Sequence, residues 1–397
     1  MALALASVRA AERAAIPAPA VFLGLAALAS DVFPRLEGVS IQTVERVGVA
    51  ALIPILFDGG LRIGWRRFRS AAVPIAALGI LGTFAVAAFV AVACHYLIGF
   101  SWTAAAILAA ALAPTDPAVM FSVLGRRAVR GPTRTILEGE AGVNDPVGIA
   151  LVVAVLDYAA GDRTSVATAG ADFVLSLVVG LAIGLGAAFA LRRLGHLLTM
   201  PTESLETFAL LTFAALVYAA ASLAHGSGFL AVFAAGIALG DRARRRRPEL
   251  VRSLTSLSAL AEVVVFVALG LTVHLGDFTS GSLWAEAAAV AIVLTLARPL
   301  VVVPLLAASR RPVGERFFVA WGGLKGAVPI LLAAFALVRG VDGATRIYDI
   351  VFFVVMFSVL VQGTTIAAAA RRFGVPLSEP SRAGRRRPTT AEPARAT

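Results

Sequence analysis

"EGEAGVNDPVG" occupies positions 138 to 148, from Glu138 to Gly148. Three carboxylates stand in it: Glu138, Glu140 and Asp145. An unbroken apolar run, "IALVVAVL" (149–156), follows it, and an Arg-rich loop, "RRAVRGPTR" (126–134), precedes it. The whole reads as one helix of about 20 residues, the length that crosses a bilayer. Acids at the centre of such a helix are costly, so they mark function or pairing.

The rest of the chain has the same character. It has 397 residues, 59% of them hydrophobic, with a mean hydropathy of +0.87. Soluble domains hold roughly 45–50% apolar residues. Apolar stretches recur along the full length, so the fold class is an all-α polytopic membrane protein. The first patch, "MALALASV", is too short for a cleavable leader. Cys94 is the single cysteine, which excludes an internal disulfide and a cysteine metal site. Histidines 95, 196, 225 and 274 share no ligand spacing. No cofactor, resident metal or enzymatic activity is expected.

Twelve spans are expected: 16–33, 43–59, 72–98, 102–125, 134–157, 170–191, 204–224, 227–240, 253–273, 283–308, 316–338 and 347–370. The net charge of +11 would suggest nucleic acid in a soluble protein. Here it reflects loops that collect Arg on one side. With the N-terminus cytoplasmic, 28 of the 35 basic residues fall on inward segments and five on outward loops. That asymmetry sets topology and orientation, with both termini inside and the plasma membrane as location. The remaining two, Arg298 and Lys325, lie within spans. A membrane domain over 1–375 is expected, with a disordered, basic cytoplasmic tail at 376–397 that touches anionic lipid.

Charges gather near span centres: Asp116, Glu140, Asp145, Glu262, Arg298 and Lys325. Each costs roughly 2.5–3.5 kcal/mol if unpaired at the bilayer centre. Four acids face two bases, so static pairs leave at least two carboxylates without a cation. A mobile cation or a proton fills that role.

Two spans are interrupted. "AAALAPTDPAVMF" carries Pro114 and Pro117, which deprive the Ala110 and Ala113 carbonyls of helical partners. "WGGLKGAVPILLA" carries glycines and Pro329, which free the Lys325 carbonyl. Irregular backbone at this depth is tolerated where it lines a cavity or binds an ion. The two spans lie seven apart and therefore run in opposite directions. That pattern predicts an inverted-repeat secondary transporter, with repeats at about 16–191 and 204–370.

Six stretches in order, "LFDGGLR" (56–62), "APTDPA" (113–118), "EGEAGVNDP" (138–146), "AEVVVFVALGLTV" (261–273), "LARP" (296–299) and "GGLKGAVPI" (322–330), resemble the NhaP/NHE branch of monovalent cation:proton antiporters. The resemblance covers essentially the whole membrane region. It implies an inward-facing homodimer of inverted repeats, with interrupted helices crossing near the midplane and elevator-like alternating access. It implies that Asp145 binds cation and proton in turn, and that Asp116 and the backbone at Thr115 complete the site for a transported Na⁺ or K⁺. It suggests that Glu140 pairs with Arg298. Asn144 before Asp145 is the pairing usual in the electroneutral branch.

Three departures stand out. Ala141 replaces a Ser common in the family, Lys325 replaces a common Arg, and twelve spans replace the common thirteen. Glu262 is expected beside Lys325, beside Arg298 or in the cavity. Asp58 serves a cation-attracting funnel or is a simple interfacial charge. Glu138 has a place in the entry path.

Other readings are weaker. A channel lacks a filter loop here. A sodium-coupled organic anion symporter has no need of the Asn144–Asp145 pair. An intramembrane protease lacks its motifs: "HGSGF" (225–229) is no nucleophile elbow, and Ala238 spoils a G-x-G-D motif ending at Asp241.

Overall fold

The computed structural model describes residues 18–33, 39–124, 129, 131–161, 166–194, 202–273, 275–276, 282–309 and 311–377. Among these, helices coincide with all twelve expected spans. They are α1 (Ala18–Val32), α2 (Ile41–Ser70), α3 (Ala72–Ile98), α4 (Trp102–Leu112), α5 (Pro117–Leu124) and α6 (Pro132–Ala159). Then follow α7 (Val166–Leu194), α8 (Glu203–Leu223), α9 (Gly228–Arg246) and α10 (Pro248–Gly270). The last are α11 (Leu283–Leu305), α12 (Val313–Trp321), α13 (Ala327–Val338) and α14 (Ala344–Arg372). Among the described residues, eight helices are by themselves long and apolar enough to cross a membrane. The spans at 102–125 and 316–338 are each two helices, α4–α5 and α12–α13, separated by a non-helical break.

Local chemistry sets the ends. Ser40, Ser101, Thr202 and Ser227 each accept an amide hydrogen bond in the first turn of the helix that follows. Pro132 opens α6, where its missing N–H costs nothing. Pro146 lies inside α6, and the helix nevertheless runs on through it to Ala159.

The second span extends well beyond the expected 43–59, with a kink at Gly64 (φ 68°, ψ 161°) that glycine permits. The kink strands backbone groups, and the charged end of α9 takes them up. Arg244 donates to the carbonyls of Arg62 and Ile63, and Asp241 Oδ2 accepts from the Arg66 amide at 2.8 Å.

The helices form two groups. α1, α2 and α7–α10 pack on one another, and α3–α6 and α11–α14 pack on one another. The second group is two runs of three spans, 72–159 and 283–372, each run being a whole helix, a broken one and a whole one. Across the seam, α6 and α13 make most of the contact, against α2, α7, α9 and α10.

The tail was expected from 376 onward. Leu377 instead pairs with Val129 in an isolated antiparallel bridge, and Val375 is buried. Residues 378–397 lie outside the described residues, as do Arg9, Arg13, Arg35, Arg163, His196 and His274.

Candidate functional site

The two breaks meet. The Asp116 amide donates to the Leu324 carbonyl at 2.7 Å, joining the α4–α5 break to the α12–α13 break. Each break also exposes the carbonyl end of a helix, where the backbone dipole is negative. Lys325, 1% exposed, donates from Nζ to the carbonyls of Ala113 (3.1 Å) and Pro114 (2.9 Å) at the end of α4. Arg298 donates from Nε to the Ala320 carbonyl at 3.1 Å, at the end of α12. One cation therefore serves each carbonyl end.

This changes the expected fate of the freed carbonyls. The Ala110 carbonyl accepts from the Ala113 amide at 3.3 Å in a tightened turn, and the Ala113 carbonyl is held by Lys325. Neither is left over to line a cavity. The proline pattern revealed the missing amides, but not a lysine more than two hundred positions away that replaces them.

The amino end of α5 carries an acid. Asp116 Oδ1 accepts from the Ala118 amide at 2.8 Å, capping α5. Asn144 and Thr115 clasp one another: the Asn144 Nδ2 donates to Thr115 Oγ1 at 2.8 Å, and its Oδ1 accepts from the Thr115 amide at 3.3 Å. The clasp fixes the α4–α5 break to α6 and places Asp145 beside it. Asp145 has Asp116 and Lys325 as its charged neighbours. Its Oδ1 is buried and has no hydrogen-bond partner in the protein. Such an atom costs stability unless something binds it. Among the described residues, no three His, Cys, Asp or Glu side chains converge as ligands of a resident metal.

Glu140 and Arg298 form an ion pair at 2.9 Å, with side chains 3% and 5% exposed. Glu140 thus points from α6 to α11 while Asp145 points elsewhere, as about 140° of helical rotation requires. Glu262, on α10, has Asp116 and Arg62 as its charged neighbours rather than Lys325 or Arg298. Glu262 and Asp116 lie on opposite sides of the seam, near enough to influence one another electrostatically.

Two acids lie towards the Arg-rich ends. Glu138 Oε1 is 2.7 Å from Arg134 Nε. Asp58 is fully buried, accepts from Thr255 Oγ1 at 2.8 Å, and has Oδ2 2.9 Å from Arg62 Nη2. This last contact is an ion pair without the alignment of a hydrogen bond. Sequence reasoning passed over Thr255, Ser358 and Gln362. Ser358 Oγ accepts from the Lys325 amide at 3.0 Å and donates to Gln362 Oε1 at 2.6 Å. Polar side chains within "FSVLVQG" of the last apolar span were the signal.

The transmembrane sodium/hydrogen exchanger family model matches residues 1–372. The chain belongs to the sodium/hydrogen exchanger family. Within the family, the K(+)/H(+) antiporter NhaP2 of Shewanella sp. (strain ANA-3) is 32% identical over 370 residues, covering 91% of this chain and 63% of that protein. The Na(+)/H(+) antiporter NhaH of Halobacillus aidingensis is 26% identical over 345 residues, covering 84% of this chain and 85% of that protein. The chain thus spans 63% of the length of the NhaP2 relative. The sodium proton antiporter MjNhaP1 of Methanocaldococcus jannaschii shares the fold, with a TM-score of 0.78 at 23% identity over 91% of this chain and 96% of that one. The chain is a multi-pass, all-helical membrane protein of this family.

Proposed function

We propose that the chain exchanges a monovalent cation, Na⁺ or K⁺, for a proton across the plasma membrane, with both competing for Asp145. The observation that carries this reading is the buried, unpartnered Asp145 Oδ1 beside Asp116 and the joined helix breaks. A carboxylate so placed favours binding a cation or a proton over remaining bare. If only the loaded forms cross, one cation moves against one proton and the exchange is electroneutral. The relatives are named for K⁺/H⁺ and Na⁺/H⁺ exchange.

The remaining residues take supporting parts. Asp116 and the Thr115 backbone complete the cation site, and Asn144 holds that backbone. Glu140 and Arg298 tie the core together. Glu262 and Glu138 line the approach, while Asp58, held by Thr255 and Arg62, ties α2 to α10. Two inverted repeats, each containing one run of three spans, two cytoplasmic termini and a homodimer complete the proposal. The repeat of whole, broken and whole helices supports the first of these. The Arg-rich ends support the second.

The test is a pH-reporting proteoliposome assay with Na⁺, K⁺ and Li⁺ added in turn. Wild type gives a cation-driven pH change, and Asp145→Asn, inserted equally well, gives none. Exchange by that variant at the wild-type rate rejects the assignment.

A further inference from the structure

Two side chains cross the seam between the helix groups, and each seats on a glycine. Phe233 of α9 lays its ring on Gly142 of α6. A methyl group at Gly142 would overlap the ring at Cζ and Cε2. Leu331 of α13 lies on Gly48 of α2, where a methyl group would come within 2.6 Å of Cδ1. Phe233 and Leu331 are fully buried. Gly142 precedes Asp145 by three residues on α6, and Leu331 follows Lys325 by six on the interrupted span. The two knobs therefore come from opposite groups; the glycine beneath Phe233 lies close in sequence to Asp145, and Leu331 lies close in sequence to Lys325.

The physical setting gives these contacts a task. Small residues at helix contacts let side chains and backbone approach without gaps. Apolar contacts that leave no room for water stay dry, and dry apolar constrictions block ions. One turn from Gly142 on α6 lies the buried carboxylate oxygen of Asp145, without a protein partner. A thread of water reaching that oxygen from both sides would pass protons without any exchange of cation.

We propose that Phe233 on Gly142 and Leu331 on Gly48 form an apolar seal that prevents uncoupled proton and cation passage past Asp145. The proposal rests on the exchange reading for its purpose, but its measurement does not need exchange to occur. Phe233 and Leu331 act by excluding water and bind no ion.

The test uses the full chain in potassium-loaded liposomes diluted into choline medium. Proton entry is followed before and after valinomycin sets an inside-negative potential. Electroneutral exchange runs without valinomycin, so the increment on its addition reads the leak alone. Wild type and Asp145→Asn should give the increment of protein-free liposomes. Phe233→Ala and Leu331→Ala should raise it several-fold, and Phe233→Leu should bring it back towards wild type. Phe233→Val and Leu331→Val serve in place of any alanine variant that does not reconstitute. Variants that reconstitute as wild type does, yet show no added increment, overturn the seal. A wild type without cation-driven pH change would instead reject the exchange reading and leave the leak result to stand by itself.

Discussion

Lys325 Nζ lies 2.9 Å from the carbonyl oxygen of Pro114 and 3.1 Å from that of Ala113. The lysine of one broken span therefore caps the carbonyl end of the other. An ammonium at a helix C-terminus is favourable through the dipole and satisfies acceptors that have no amide. Its own amide is held by Ser358. The crossing is thus a closed set of charge-assisted and backbone hydrogen bonds.

Removing this cap should be severe. Lys325→Ala strands two buried carbonyls, at about 1–3 kcal/mol each. The expected outcome is a clear fall in melting temperature in detergent, measured by a thermal-shift assay. A variant as stable as wild type would mean that the lysine does not hold the crossing together.

The Glu140–Arg298 pair gives an asymmetric prediction. Breaking a buried pair costs about 3–5 kcal/mol because one charge is left alone. Arg298 also donates to the Ala320 carbonyl, whereas Glu140 has no second hydrogen-bond partner among the described residues. Arg298→Met should therefore destabilise more than Glu140→Gln in the same thermal-shift assay. The reverse order would place the stabilising role on the acid.

The Asn144–Thr115 clasp separates hydrogen bonding from shape. Asn144→Asp keeps an oxygen for the Thr115 amide and accepts from the hydroxyl once it rotates. Asn144→Leu keeps the volume and loses both bonds. Proteoliposome exchange should fall at least about tenfold for the leucine variant, the loss of roughly 1.4 kcal/mol of positioning. The aspartate variant should keep more of its rate. Equal rates for the two would show that the clasp does not position the break.

Much of this was legible in the sequence. Hydropathy alone located every span, because depth in a bilayer is written in composition. Pro114, Pro117 and the glycines before Lys325 located both breaks, because missing amides and flexible backbone are local properties. Partners were not legible in the same way. A helix pattern gives the face of a residue but not what stands opposite. The capping of α4 by Lys325 and the binding of Arg62 and Ile63 by Arg244 join positions well over a hundred residues apart. Asp58 illustrates the difference. Its place near an Arg-rich end suggested a funnel or a simple interfacial charge, whereas Thr255 and Arg62 hold it in a fully buried setting.

Competition at one carboxylate has a kinetic signature. As pH falls, the proton occupies more of the site, so the cation concentration for half-maximal exchange should rise. The maximal rate at saturating cation should change far less over the same range. Initial rates measured across a matrix of pH and cation concentrations check this. A half-saturation concentration that ignores pH would mean separate sites for the two ions.

The most direct measurement is proton release on cation binding. Ligands must be deprotonated to hold a metal cation, so binding displaces protons. Purified protein in weakly buffered detergent solution is titrated with Na⁺ and then K⁺ while pH is recorded. Release should approach one proton per protomer for the transported cation, with none from Asp145→Asn. Equal release from wild type and Asp145→Asn, or saturable cation binding to wild type with no proton released, would contradict competition at Asp145.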